Sequence, residues 1–219
     1  MTNWSVLGPQ LLTSIGETLY MVVVTMIIAG FLGLVFGVAL YVTRPGGIYA
    51  NRPLNTAINL IVNFVRPIPF IILLAALGPL TETVIGTRLG QNAAIFAMTI
   101  AALFAVARIV EQNLMSVDPG VIEAARSMGV SRFRIITTVI LPEALGPLVL
   151  GYTFLVIGVT DMSAMAGAIG AGGLGDFALR LGYQRFNDEV TWAAVAVIIV
   201  LVQAVQFVGN AMARRIMRR

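Results

Sequence analysis

The side chains that could do chemistry in this 219-residue chain are few and scattered. The sequence has no cysteine and no histidine, and its fourteen basic residues are all arginine. Thiol nucleophiles, imidazole bases, the usual zinc sites and the lysine of a P-loop are therefore excluded. An enzyme would have to use Glu143, Asp161, Ser163 or Asp176, and no two of these form a recognisable catalytic pair. We expect no catalytic site, no metal site and no cofactor bound by this chain.

The most regular polar pattern lies in residues 111–143. Asp118 suits a helix N-cap and Pro119 the first helical position, so a helix is predicted over 121–128. Gly129 is placed to end that helix in a left-handed turn. The helix is amphipathic, with an apolar face of Val121, Ile122, Ala125 and Met128 and a polar face of Glu123, Arg126 and Ser127. A helix of this kind can lie on lipid headgroups or dock on another protein.

A second helix is predicted over residues 132–140. Ser131 can cap its start. Leu141 and Pro142 are expected to end it, because proline cannot donate the next helical hydrogen bond. The segment therefore reads as two short helices joined at a glycine, not as a passive linker.

Most of the chain is too apolar for water. Hydrophobic residues make up 58% and charged residues 11% of the sequence, and the mean hydropathy is +0.93. So few polar groups cannot cover a soluble core of this size. A membrane-spanning helix needs about 20 mostly apolar residues, and charge-free intervals predict such helices at 18–43, 89–107 and 190–213. The predicted fold is an all-α, polytopic membrane helix bundle.

Two further apolar segments each carry one charge, which brings the predicted number of spans to about five. The segment 54–77 contains Arg66, and the segment 144–165 contains Asp161. Intramembrane charge usually faces the protein interior or an aqueous path, although a charge near a helix end can also reach water by snorkelling. Pro67 and Pro69 withdraw two backbone donors beside Arg66, so the helix is expected to bend there, inside the bundle.

Arginines set the predicted orientation. If five spans alternate, ten arginines fall on one side of the membrane and three on the other. Arginine-rich connections stay in the cytoplasm, so the N-terminus is predicted outside, and the C-terminus and residues 111–143 inside. The ten are Arg44, Arg52, Arg108, Arg126, Arg132, Arg134, Arg214, Arg215, Arg218 and Arg219, and the three are Arg88, Arg180 and Arg185.

Glycine and alanine dominate residues 163–175. Phosphate-binding loops of similar composition follow strands in βαβ units, and no strand is predicted here. In membrane segments small residues indicate close helix packing, or irregular backbone that lines a cavity. We expect the second.

The cytoplasmic segment resembles the Glu-Ala-Ala loop of binding-protein-dependent ABC importer permeases. The match consists of Glu123-Ala-Ala, a glycine six residues after the glutamate, and Leu-Pro eighteen residues after it, with Val139 where the family usually has isoleucine. The resemblance covers nearly the whole chain. It implies a coupling helix seated in a groove of a cytoplasmic ATPase subunit, with contacts from Glu123, Ala124, Ala125, Met128, Gly129, Leu141 and Pro142.

Within that family the chain looks like the methionine-type importer permease. The matching segments are 41–46, 67–74, 141–145 and 167–175. Pro67 stands where serine is common, and Asp161-Met162 where uncharged residues are expected. The resemblance implies a single permease domain, 1–219 with its core at about 13–210, of the type I ABC importer permease fold. It also implies a second copy of the chain, two ATPase subunits that bind ATP and Mg, and an extracytoplasmic substrate-binding lipoprotein.

We therefore predict a transport subunit that forms the path for L- or D-methionine across the bacterial inner membrane, in contact with lipid and not with nucleic acid. Another small amino acid or a methionine peptide remains an alternative substrate. The rival classes are an ion-driven secondary transporter, a membrane-embedded enzyme and a scaffold protein; the sequence has no internal repeat of the kind that secondary transporters show. The path or gate candidates are Arg66, Pro67, Pro69, Asp161, Met162, Ser163 and Met165. For the two methionines a second interpretation stays open, because methionine also fills gaps between helices.

Overall fold

The computed structural model describes residues 2–217 and confirms the all-helical prediction. Arg218 and Arg219, two of the ten arginines used to predict the orientation, lie outside the described residues. The α-helices are α1 Trp4–Thr43, α2 Arg52–Val65, α3 Phe70–Ala76, α4 Gly78–Ile85, α5 Gln91–Met115, α6 Pro119–Ser127, α7 Arg132–Arg134, α8 Leu141–Glu143, α9 Leu145–Ala166, α10 Gly173–Asp176 and α11 Asp188–Met217. Wider π-helical turns occur at Ile135–Ile140, Gly167–Ala171 and Phe177–Gly182, and a 3-10 turn at Tyr183–Arg185.

Among the described residues, four helical segments are long and apolar enough to cross a membrane. They are α1, α5, α9 with its π-turn, and α11. The pair α2 and α3 gives a fifth if it is counted as one span, but its two halves are bent by 103°. The segment 54–77 is therefore two helices joined at a sharp bend, and the predicted bend is confirmed. Pro67 and Pro69 cause the bend, because neither has an N–H to donate. The last i to i−4 hydrogen bond of α2 is donated by the Arg66 N–H, and the first of α3 is accepted by the Pro69 carbonyl.

Three predicted helix boundaries are wrong. Helix α1 begins 14 residues before the predicted start at residue 18, and α5 continues to Met115 instead of ending at 107. The α5 extension carries Arg108 and Glu111, which pair with each other, and Arg108 also donates hydrogen bonds to α2. The helix that begins at Arg132 does not stop before Leu141, because the π-turn Ile135–Ile140 widens the backbone ahead of Pro142, and a break comes only at Ala144.

Helix α1 packs most extensively against α5. Gly33 and Gly37 lie one turn apart on α1 and face Val106 and Val110. A Cβ at Gly37 would lie 2.5 Å from the Val110 Cβ and 2.6 Å from the Ala107 carbonyl oxygen. The two backbones approach so closely only because α1 has no side chain at this contact.

Two apolar clusters make up most of the core, and α1 contributes to both. The Tyr41 cluster joins the C-terminal end of α1 to α5, α6 and the start of α9, and includes Val42, Ile48, Val110, Leu114, Ile122, Ala125, Ile140 and Leu148. The Met21 cluster joins the middle of α1 to α3, α5 and the end of α9, and includes Val22, Phe70, Leu74, Met98, Val159 and Ala166.

We expect Gly37→Ala to lower the melting temperature of the purified protein, because the added Cβ has no room against α5 and overpacking typically costs about 1–3 kcal/mol. Gly16→Ala is the matched control on the same helix, since a Cβ there meets nothing within 4 Å. Equal melting temperatures for the two variants would contradict the packing described for α1 and α5.

Candidate functional site

Helix α6 begins as the sequence predicts. Asp118 is its N-cap, and the carboxylate oxygen Oδ1 accepts the Gly120 N–H at 2.8 Å. Pro119 occupies the first turn, where its missing N–H leaves nothing unsatisfied. The helix is nine residues long and ends at Ser127.

Gly129 closes α6 in the left-handed turn that the sequence predicts. Its φ is +72°. The Gly129 N–H donates to the Arg126 carbonyl at 3.0 Å, and the Val130 N–H donates to the Ala125 carbonyl at 3.2 Å. This pair of bonds is a Schellman motif, which satisfies the last carbonyls of the helix and reverses the chain.

The predicted apolar face of α6 is divided in the structure. Ile122 and Ala125 are buried in the Tyr41 cluster, whereas Val121 is exposed and Met128 is 75% exposed. Met128 leaves the buried stripe because it follows the last helical residue, as the C-cap. Glu123 and Ala124 are also exposed, so α6 holds to the bundle by two small contacts and presents its other residues outward.

The loop between α1 and α2 supports α6 and the residues after it. The Arg44 guanidinium lies 4.0 Å from the centre of the Tyr41 ring, and that of Arg132 lies 5.6 Å from the centre of the Tyr49 ring. Cation–π contacts of this kind fix arginine side chains that would otherwise be mobile. A crevice of about 120 Å³ separates the loop from α6, and Glu123 and Arg126 line it.

Of the other predicted coupling residues, Leu141 is half-buried against the Tyr41 cluster and Pro142 is exposed. Leu141 and the buried residues of α6 therefore share one cluster. Leu141 thus lies at the same end of the bundle as α6, while Ala125, predicted to contact the ATPase, is buried inside this chain.

Next to this end lies a polar network that the sequence patterns above do not predict. The Arg108 guanidinium pairs with Glu111 at 2.5 Å and donates to the Oδ1 atoms of Asn59 at 3.0 Å and Asn63 at 2.7 Å. Asn59 donates in turn to Asn55, which donates to the Leu40 carbonyl at 2.9 Å. The asparagines of this network, Asn55, Asn59 and Asn63, occur at every fourth residue of α2 and so lie on one face of the helix. That spacing is the sequence feature that indicates a polar contact here.

The network explains why α5 does not end at its charges. Glu111 is only 7% exposed, and its carboxylate keeps the Arg108 partner inside the protein. A buried charge is tolerated where an opposite charge and hydrogen bonds surround it. The alternation of spans predicted that Arg108 lies in a cytoplasmic connection. The structure places it within helix α5.

The predicted path residues do not all face the same environment. Arg66, Pro67, Pro69 and Asp161 are exposed on the single chain. The expectation that the helix bearing Arg66 lies inside the bundle is wrong for one chain, because α2 lies at its surface with Val62 as its one buried residue.

The remaining path candidates face the interior of the chain. Ser163 is buried, and its hydroxyl donates to the Thr160 carbonyl at 2.6 Å. Met162 and Met165 are half-buried and pack against the Met21 cluster, which fits the gap-filling interpretation of methionine.

The glycine-rich segment is irregular, as expected, and it is also tightly packed. Ile169 and Gly170 leave the helical region, and Gly172 and Gly173 have positive φ angles of +80° and +77°. A Cβ at Gly175 would lie 2.6 Å from the Ala164 Cα. The segment therefore combines the two features that small residues indicate in membrane proteins, close packing and irregular backbone.

An apolar groove of about 870 Å³ lies between α1, α9 and α11, and within residues 2–217 no charged side chain lines it. A zwitterionic amino acid would lose its hydration there without new partners. The lining, which is mostly aliphatic with Phe31 and Tyr152, suits acyl chains, so the groove is not the candidate path.

The binding-protein-dependent transport system inner membrane component model matches residues 29–219. The chain is a member of this family. A Vibrio cholerae relative in it, a probable D-methionine transport system permease protein MetI, is 40% identical over 220 residues, covering 100% of this chain and 98% of that one. The Bacillus subtilis methionine import system permease protein MetP is 42% identical over 171 residues, 78% of this chain and 77% of that one.

Solved structures agree with this family assignment. A chain from inward facing conformations of the MetNI methionine ABC transporter matches with a TM-score of 0.95 at 40% identity, over 99% of both chains. A chain of an amino acid ABC transporter with histidines matches at TM-score 0.80 and 20% identity, which shows the common fold alone. As an inner membrane component with several apolar helices, this permease is a multi-pass protein of the bacterial inner membrane.

We expect Arg108→Leu to destabilise this permease by about 3 kcal/mol, because Glu111 would remain buried without its cation. The double variant Arg108→Leu, Glu111→Gln should recover much of that loss, since no uncompensated charge remains. Thermal unfolding of the purified variants measures both effects. A double variant that melts no higher than the single one would show that the ion pair is not what the network protects.

Proposed function

We propose that this chain is the permease subunit of an ATP-driven methionine importer, coupled to a separate ATPase through α6 and Gly129. The observation that carries the proposal is the geometry of α6: a short helix, capped at both ends and held by two residues, that presents Glu123, Ala124 and Met128 to a partner. The methionine permeases among the relatives, which match nearly the whole chain, support the substrate.

The exposed surface around α6 suits a protein partner better than lipid headgroups. Ala124 would permit close approach, and Met128 offers a flexible apolar side chain. Met115 and Phe133 add exposed apolar area nearby in the chain, at 58% and 69% exposure. Apolar anchors of this kind, fixed by a rigid turn, are the pattern of a docking surface. The absence of lysine from the sequence supports ATP binding by the partner.

The proposed orientation places α6 and the C-terminus in the cytoplasm and the N-terminus outside. The excess of arginine on one set of connections supports it. Asp188 and Glu189 in the first turn and Arg214 and Arg215 in the last turn of α11 give that helix one basic end, on the same side as α6.

The proposed assembly contains two copies of the permease, two ATPase subunits and an extracytoplasmic binding protein. A bundle of five spans leaves little room for a path of its own, and the exposure of Arg66 and Asp161 on one chain is understandable if a second copy or an aqueous path faces them. Met162, Ser163 and Met165 stay candidates for the gate, although the buried Ser163 hydroxyl is already hydrogen bonded.

In the proposed cycle ATP closes the ATPase dimer, α6 moves with the groove in which it sits, and the two permeases open outward to receive methionine. Hydrolysis and release return them inward. Coupling requires that ATP and methionine favour different global states of the complex. The rigid closure of α6 by Gly129 would make the helix follow its partner as one body.

We expect Gly129→Val to abolish most ATP-dependent methionine uptake by the reconstituted complex while the permease still accumulates in the membrane. Space is not the obstacle, since a Cβ at Gly129 meets nothing within 4 Å. The obstacle is the φ of +72°, which a β-branched residue adopts at high cost. The Schellman turn should open, and α6 should no longer seat.

Gly129→Asn is the matched control, because asparagine enters the left-handed region more readily than other residues with a side chain. It should keep more uptake than valine. Glu123→Ala should reduce uptake less than Gly129→Val, as it removes one polar contact and leaves the helix intact. Normal uptake by the valine variant at normal expression would refute the coupling role of this turn.

The orientation can be tested by cysteine labelling, because the native chain has no cysteine. An impermeant thiol reagent added to intact cells should label Gln184→Cys, in the proposed outer connection, and should not label Ser131→Cys. Both positions are exposed in the structure. The reverse pattern would invert the proposed topology.

A further inference from the structure

Two adjacent residues of α1 cap α10, the short helix that begins at Gly173 near the end of the glycine-rich segment. Oε2 of Glu17 accepts the Gly173 N–H at 2.6 Å, and Oγ1 of Thr18 accepts the Leu174 N–H at 2.8 Å. The first N–H groups of a helix have no partner within it. The acceptors here lie 156 residues away in the sequence, so this cap is a tertiary contact.

The contact is too closely built to be incidental. A Cβ at Gly172 would lie 2.6 Å from Oε2 of Glu17, and a Cβ at Gly173 would lie 2.7 Å from Oγ1 of Thr18. Thr18 is 3% exposed. The backbone of the segment therefore runs directly against α1, and the positive φ angles of both glycines are what bring it there.

The charges around Glu17 leave it available for this role. Glu17 lines a polar cavity of about 410 Å³ together with Asp176, Arg180 and Arg185. Asp176 accepts two hydrogen bonds from Arg180 through Nε and Nη2, at 3.0 and 2.9 Å. That hydrogen bonding and charge raise the pKa of Arg180. Asp176 and Arg180 thus satisfy each other without Glu17, and Oε2 of Glu17 accepts from the Gly173 backbone.

Helix α1 connects this cap to α6. It runs without a break from Trp4 to Thr43, and Tyr41 and Val42 at its other end share a cluster with Ile122 and Ala125 of α6. Thr18 and Tyr41 are about 35 Å apart at the rise of an α-helix. The same helix therefore holds the proposed coupling helix at one end and the glycine-rich segment towards the other.

We propose that Glu17 and Thr18 are positioning residues for transport, which fix the glycine-rich segment to α1 so that movements of α6 reach it. The proposal rests on the proposed function of α6. Hydrogen bonds to a carboxylate are about twice as strong as neutral ones, and a buried N–H that loses its acceptor is costly. Breaking this contact is therefore costly, so the segment is expected to follow α1 when α1 moves.

The test uses a single reporter cysteine at Ile169, an exposed residue of the segment, in the permease reconstituted with its ATPase. In the parent, ATP should change the rate at which a thiol reagent labels Ile169→Cys. Thr18→Val removes the acceptor at nearly constant shape. It should abolish that response and lower methionine uptake about tenfold, while ATP hydrolysis stays within about twofold.

Three further variants separate the cap from general stability. Thr18→Ser keeps the hydroxyl and should restore the response. Thr13→Val makes the same chemical change one turn or so away, at an exposed hydroxyl that bonds only within α1, and should act as the parent does. Glu17→Gln keeps an acceptor without the charge and should give a partial loss, which decides the matter if Thr18→Val does not accumulate.

If ATP does not change the labelling rate of Ile169→Cys in the parent, the proposal is wrong. It is also wrong if the Thr18→Val, Glu17→Leu double variant keeps both the full ATP-dependent change in labelling and full methionine uptake. The failure of the proposed function looks different. A parent complex that hydrolyses ATP and imports no methionine would refute the substrate, and the ATP response of Ile169→Cys would still decide the role of the cap.

Discussion

Backbone N–H and C=O groups inside a bilayer must find partners within the protein, because hydrocarbon offers none. This constraint decides how the chain breaks its helices. At the bend between α2 and α3, Pro67 and Pro69 remove donors where the ladder is interrupted. The glycine-rich segment contains no proline, so its backbone N–H groups all need acceptors. Glu17 and Thr18 of α1 accept from two of them, the N–H groups of Gly173 and Leu174. The second break is therefore tied to the rest of the fold in a way that the first is not.

The same solvent removes the usual reason for helices to associate, since lipid is as apolar as leucine. Close backbone approach replaces it. Gly33 and Gly37 admit α5 to the surface of α1, and the Tyr152 hydroxyl of α9 donates to the Gly30 carbonyl at 2.7 Å. These contacts form a line along α1. A helix packed by such contacts, with no break of its own, can carry both the coupling end and the glycine-rich segment.

Local features were predictable from the sequence and long-range ones were not. The cap at Asp118 and the turn at Gly129 depend on residues within one or two helical turns, and both predictions hold. The end of α5 was misplaced because Arg108 is stabilised by Asn59, which is distant in sequence and looked like an ordinary residue of an apolar segment. In the sequence Glu17 is only the charge that precedes the apolar interval 18–43. Its partner is a backbone N–H, which no side-chain pattern marks.

Helix α2 differs from the other long helices in what holds it. Its asparagines bond to Arg108 and to the end of α1. Its exposed apolar residues Leu60, Ile61 and Phe64, the last at 78% exposure, point away from the bundle. Contact with lipid is favourable for apolar side chains, whereas inserting an arginine at the bilayer centre costs a free energy of about 2.5–3.5 kcal/mol on insertion scales. Arg66 lies exposed beside them. A surface that combines both is unsuited to lipid alone, and a second copy or a water-filled path resolves the conflict. Arg66 is therefore exposed because a single chain is only one of the two permease copies that form the complex. Its exposure does not argue against a membrane span at α2 and α3.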